Sequence, residues 1–159
     1  MFCDADIKVS WRARPRSFVA LMSLYESNHV RFLQLAGDPA RLSGTLMSRV
    51  EGDCELQLSV LGHMPYTSML ALTYLLPSAA SGSDGSYCER LPDLKLRAYH
   101  DARLLEVEDA HLRHAPRIPG QRQGERELQH RWVRNMMLNK WLEYCVERGH
   151  RFTRHRAFD

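Results

Sequence analysis

Hydrophobic residues recur along this chain with two different periods, and the switch between them outlines the fold. Over residues 18–36, Phe18, Leu21, Met22, Tyr25, Phe32, Leu33 and Ala36 return at steps of three and four, which predicts an amphipathic helix. Ser17 is placed to cap its start. Gly37 followed by Asp38-Pro39 is placed to stop it, because glycine takes the left-handed position that ends many helices. The period then becomes two. Leu42 to Val50 reads as a first strand and Glu51-Gly52-Asp53 as a turn. In the next strand Cys54, Leu56, Leu58 and Val60 alternate with Glu55, Gln57 and Ser59. Gly62 and Pro65 make 61–66 a connector. Thr67 to Leu76 is apolar on both faces, as expected of a central or helix-covered strand.

Pro77 to Gly85 is low in complexity and predicts a surface excursion running to Pro92. Leu94, Leu96 and Ala98 then alternate with Lys95, Arg97 and Tyr99. A turn at His100-Asp101-Ala102 leads into a paired strand through Leu105 and Val107, ending near Asp109. A polar, proline-containing loop at 111–124 precedes the longest helix, expected over 125–148 and stopped by Gly149. Its apolar face carries Leu128, Trp132, Met136, Met137, Trp141, Tyr144 and Cys145. The short connections favour an antiparallel meander over βαβ units. The expectation is a single α+β domain: a mostly antiparallel sheet of four to five strands flanked by an N-terminal and a long C-terminal helix. Residues 1–16 form a flexible leader, 17–152 the domain, and 153–159 a basic tail.

Composition narrows the class. The chain has 159 residues, 44% hydrophobic and 26% charged, enough for one domain with its own core. Four widely spaced cysteines, Cys3, Cys54, Cys88 and Cys145, contain no CxxC pair, so neither structural zinc nor a disulfide framework is expected. The charged N-terminus lacks the apolar core of a signal peptide, and no run is long enough to span a membrane, so a cytoplasmic location is expected. No cofactor is implied, because Walker, GxGxxG and GxSxG motifs are missing. Monomer and homodimer both remain open.

Two stretches carry a resemblance. Leu96-Arg97-Ala98-Tyr99-His100-Asp101-Ala102 with Glu106-Val107 resembles the LYHDA…EV signature of the YqiB-like family of uncharacterised bacterial proteins. Asn135, Leu138, Trp141-Leu142, Tyr144-Cys145 and Gly149 match that family's N..L..WL.YC...G pattern, and Glu26 and Asn28 fall where it carries a Glu and an Asn. The resemblance covers roughly residues 18–152 and implies the same helix–sheet–helix order. Members are often encoded near nucleotide-cleaving enzymes, which implies a link to nucleotide or signalling metabolism. This chain departs from the family pattern between Arg113 and Arg131, where an aromatic, acidic stretch is replaced by arginines.

The candidate site residues are Glu26, Asn28, Tyr99, His100, Asp101, Arg117, Arg122 and Asn135. His100 sets a proton carrier beside Asp101, but neighbours on a strand point to opposite faces, so turn and core roles compete with chemistry. Glu26 and His29, three apart, are placed to share a helix face. Asn135 sits beside an apolar stripe and needs a partner, either a ligand or a loop carbonyl. Six arginines between 113 and 134, including Arg117 and Arg122, suit phosphate, yet no aromatic stacking platform lies among them, which disfavours nucleic acid. The expected function is therefore a non-enzymatic binding or regulatory module for a protein partner or an anionic, nucleotide-type ligand. The competing readings are an enzyme acting on a phosphorylated small molecule with His100 as acid or base, and a nucleic-acid binder.

Overall fold

The computed structural model describes residues 16–77, 88–108, 119–120 and 122–152. Helix α1 spans Phe18–Ala36. A 3-10 turn, Pro39–Arg41, leads into five strands: β1 Thr45–Ser48, β2 Glu55–His63, β3 Thr67–Pro77, β4 Cys88–Tyr99 and β5 Leu104–Glu108. Helix α2 spans Gln123–Glu147 and completes the order. The sheet is an antiparallel meander in the order β1-β2-β3-β4-β5. The protein is thus a single α+β domain, as the alternating runs and short connections predict.

Local signals explain the helix ends. The Ser17 hydroxyl accepts the Ala20 amide at 3.1 Å. Gly37, with φ of 79°, closes α1 by donating its N–H to the Leu33 carbonyl. An L residue with a side chain would be strained in that left-handed conformation. Gly149, with φ of 94°, follows α2 in the same way. Helix α2 begins two residues earlier than the sequence pattern predicts, with Arg122 at its N-cap and no side-chain capping bond.

Strand pairing makes apolar rows across the inner face. Leu58 pairs with Leu72 and Leu72 with Leu94; Val60 pairs with Leu70, Leu70 with Leu96 and Leu96 with Val107. Against these rows pack Phe32 and Leu35 of α1 and Leu138, Trp141 and Leu142 of α2. A second cluster joins Ala20, Leu21, Leu24 and Tyr25 to Trp132. The helices run parallel: contacts advance together from Asn28–Asn135 to Arg31–Glu143. Both helices cover one face of the sheet. The opposite face carries Gln57, Ser59, Lys95, Arg97, Glu106 and Glu108.

Three expectations about strand limits require correction. The connector expected at 61–66 is shorter, because β2 continues to His63 through a register shift between Val60 and Gly62. Such a bulge absorbs one residue without ending the ladder. The excursion expected to reach Pro92 ends sooner, because β4 begins at Cys88. Proline is tolerated there because β5 pairs only with Lys95–Tyr99, so residue 92 meets no β5 partner. The first strand, expected over 42–50, contracts to four residues, Thr45–Ser48. Residues 1–15 and 153–159, assigned to the leader and tail, lie outside the described residues.

Candidate functional site

Four polar constellations stand out among the described residues, and their hydrogen bonds separate structural roles from available chemistry.

The first is an amide clasp on the edge of β5. Asn28 Nδ2 donates to the Leu105 carbonyl at 3.2 Å and to Asn135 Oδ1 at 3.3 Å. Asn135 Oδ1 also accepts the Val107 amide at 3.0 Å, while its Nδ2 donates to the Arg131 carbonyl at 2.8 Å. Asn139 Nδ2 donates to Asn28 Oδ1 and to Ser27 Oγ. Asn28 and Asn135 are fully buried. Their side-chain amides present to β5 the donor and acceptor that a further strand would offer, and so close an edge that otherwise invites pairing with another chain. Asn135 thus takes the structural partner, a backbone group across the fold.

The second is a histidine–serine–histidine chain where two hairpins meet. His63 Nε2 lies 2.7 Å from the Leu42 carbonyl, and its Nδ1 lies 2.7 Å from Ser68 Oγ. His100 Nε2 lies 2.7 Å from the same hydroxyl. A carbonyl only accepts, so His63 Nε2 donates to Leu42; the Ser68 hydroxyl then links the two rings, donating to one and accepting from the other. Ser68 is fully buried on the inner face. His100 is therefore hydrogen-bonded into the fold.

The third joins Ser48, Asp53 and His150. His150 Nδ1 is 2.9 Å from Ser48 Oγ and Nε2 is 2.9 Å from Asp53 Oδ2. These are the residue types of a hydrolytic triad, but the ring nitrogens are exchanged relative to that arrangement. Ser48 is buried, and its oxygen accepts the Arg151 amide. Burial works to raise the Asp53 pKa, but hydrogen bonds from His150, the Cys54 amide and Tyr74 prevail and hold it below the usual carboxylate value. The group fastens the residues after α2 to β1 and to the β1–β2 turn. Nothing in the sequence singled out His150 as a partner for Ser48 or Asp53.

The fourth is a cavity of about 620 Å³ between the N-terminal half of α2 and the β4–β5 edge. One stripe of α2 supplies Gln123, Arg126, Glu127, His130, Arg131 and Arg134 at helical spacing, and the strands supply Arg97, Glu106, Val107 and Glu108. Arg97 donates to Glu108 at 2.7 Å and Arg131 to Glu127 at 2.7 Å. Tyr99 donates its hydroxyl to Glu106 at 2.6 Å. Burial and the Glu106 carboxylate push the Tyr25 phenol up to about 12. Asn135 holds the two walls together, since it bonds both Val107 and Arg131.

The predicted residues distribute unevenly. Asn28 and Asn135 come together. Tyr99 points to the outer face beside the cavity, His100 bonds Ser68 away from it, and Asp101 is exposed in the β4–β5 turn. Glu26 is exposed whereas His29 is buried, so they do not share a face as expected. Arg122 is exposed at the α2 N-cap, and Arg117 lies outside the described residues. Arg97, Arg126, Arg131 and Arg134 supply the cavity's guanidiniums. Among the described residues no three His, Cys, Asp or Glu side chains are grouped to hold a metal, and no helix is long and apolar enough to cross a membrane.

These features define an α+β domain with a five-stranded antiparallel meander, two parallel helices on one face and an arginine-lined cavity at the sheet edge. Residues 31–151 match the family described as protein of unknown function (DUF1249), and the chain belongs to it. No curated protein and no solved structure matches the chain.

Proposed function

We propose that this domain is a non-enzymatic binding module of the YqiB-like bacterial type, working in the cytoplasm. Its ligand is a phosphate-bearing small molecule held in the cavity between α2 and the β4–β5 edge. The observation that carries this reading is the convergence of four guanidiniums, Arg97, Arg126, Arg131 and Arg134, with His130 on one cavity of about 620 Å³. That volume lies in the range of small-molecule sites. Guanidinium forks match the oxygen geometry of phosphate, and three carboxylates do not cancel four such groups. The described lining contains no serine, threonine, cysteine or aspartate, and His100 is not part of it. This favours capture of an anion over its covalent transfer through a serine, threonine, cysteine or aspartate.

The test is titration of the purified chain with pyrophosphate and with nucleoside mono-, di- and triphosphates, read by calorimetry and thermal shift. A ligand at a hundred times its dissociation constant adds about 2.7 kcal/mol to stability. Arg126→Ala and Arg131→Ala are expected to weaken binding with little change in melting temperature, and added salt to weaken it further. Failure of every phosphate-bearing compound to bind, or affinity unchanged by both substitutions, overturns the proposal.

A further inference from the structure

Resting on that reading, we infer that Glu108 and Glu127 are internal competitors for the anion. Each occupies a cavity guanidinium in the free protein and is displaced from it by the bound phosphate. The geometry carries this. Arg97 reaches Glu108 through one nitrogen and one oxygen, NH2 to Oε1 at 2.7 Å, while its Nε is directed to the Met69 sulfur at 3.5 Å. Arg131 directs both Nε, at 3.2 Å, and NH2, at 2.7 Å, to the single Oε1 of Glu127. Neither contact is the two-by-two fork that a guanidinium forms with a fitted oxyanion. Both pairs are solvated, with side-chain exposures of 38% and 36% for Arg97 and Glu108 and of 43% and 61% for Arg131 and Glu127. Pairs of that kind hold weakly and exchange readily.

A phosphate group brings two or more oxygens and more than one charge, so it replaces a single-oxygen contact with a forked one. A small monovalent anion brings no such advantage and leaves the glutamates in place. The two carboxylates therefore set a threshold: the cavity stays closed to chloride and simple carboxylates and yields to polyanionic phosphates. The outward alternation of Glu106 and Glu108 along β5, and the three- and four-residue spacing along α2, bring the competitors and their guanidiniums to the same cavity.

The experiment is calorimetric titration of pyrophosphate into the full chain and into Glu108→Gln, Glu127→Gln, the double variant and Glu125→Gln. Glu125 is exposed in the first turn of α2 and does not line the cavity, so it controls for net charge. Glutamine keeps the shape and removes the charge. Each cavity variant is expected to bind about threefold to fivefold more tightly, the value of a solvated ion pair. The double variant is expected to exceed either single, and the control to stay within about twofold of the parent. Binding confined to the glutamine variants overturns the inference, because pyrophosphate then fails to displace the glutamates of the parent. Parent binding with no gain beyond that of Glu125→Gln overturns it and leaves the cavity reading standing. No binding by any form overturns the cavity reading and the inference with it.

Discussion

Substituting Asn135 with alanine tests whether side-chain amides close the β5 edge. Asn135 is fully buried and makes three hydrogen bonds: it accepts from the Val107 amide and from Asn28, and donates to the Arg131 carbonyl. Alanine leaves the Val107 N–H without an acceptor, whereas Asn28 keeps the Leu105 carbonyl and Arg131 keeps its helical partner. An orphaned buried donor costs about 1–3 kcal/mol. The better helix propensity of alanine returns about 0.6 kcal/mol. The lost packing cancels that return, so the expected net loss is about 1–3 kcal/mol, or roughly 3–10 °C in melting temperature for a chain of this length. Denaturant unfolding reads the loss, and hydrogen exchange reads its location, because the Val107 amide should exchange faster in the variant under native conditions. A loss below about 0.5 kcal/mol, or a Val107 amide as protected as before, would refute the role assigned to this side chain.

Three further outcomes follow from the buried polar groups. Burial, the nearby Arg103 charge and His100 hold the His29 pKa below 6.5, despite an opposing pull from Asp38. The unfolded chain then binds the proton that the fold refuses, so stability should fall as pH drops below about 6.5, and His29→Gln should flatten that slope in urea titrations across pH. The depressed Asp53 pKa acts lower: its stabilisation is present above the ordinary value of 3.8 and is lost as pH falls through the folded value, so Asp53→Asn should remove part of the acid-side slope. Burial pushes the Cys145 thiol up to about 11, so a thiol reagent at neutral pH should leave it unlabelled until denaturant is added, as mass spectrometry of the labelled peptide would show.

The sheet was readable because its chemistry is local. Alternation at Leu56, Leu58 and Val60, and again at Leu94, Leu96 and Ala98, places each residue on a face without reference to the rest of the chain. The limits of α1 were readable for the same reason, since Ser17 and Gly37 act within one turn. Where the reading failed, a local breaker met a tertiary permission. Gly62 falls at a bulge instead of ending β2, and Pro92 lies where β4 has no β5 neighbour. Asn135 was visible as a polar residue needing a partner. Its partners, 28 and 107 positions away, depend on how α2 crosses the sheet, and no spacing encodes that. The cavity was half visible: the arginines of α2 were counted, but attributed chiefly to the preceding loop. Arg97, Glu106 and Glu108 read only as outward-facing strand residues until α2 was brought alongside them.

What separates the cavity from the other polar groups is the completeness of their hydrogen bonding. The amide clasp, the Ser68 chain and the Asp53–His150 pair are centred on buried atoms, those of Asn28, Asn135, Ser68 and His150, and commit them to protein partners. Leaving a buried hydrogen-bonding group without its partner costs about 1–3 kcal/mol, because water does not reach it to replace the lost bond. A ligand at the Ser48–His150 group would have to supply that loss and also displace the Arg151 amide, so the resemblance to a triad confers no access. The ion pairs at the cavity are the opposite case. They are solvated, held through single carboxylate oxygens and worth at most about 1 kcal/mol each. A phosphate can break them without unsettling the fold, while Asn135 keeps α2 and β5 fixed as the contacts exchange. An anion site needs a rigid frame with labile contacts inside it, and among the described residues that combination is found where Arg97, Arg126, Arg131 and Arg134 face β5.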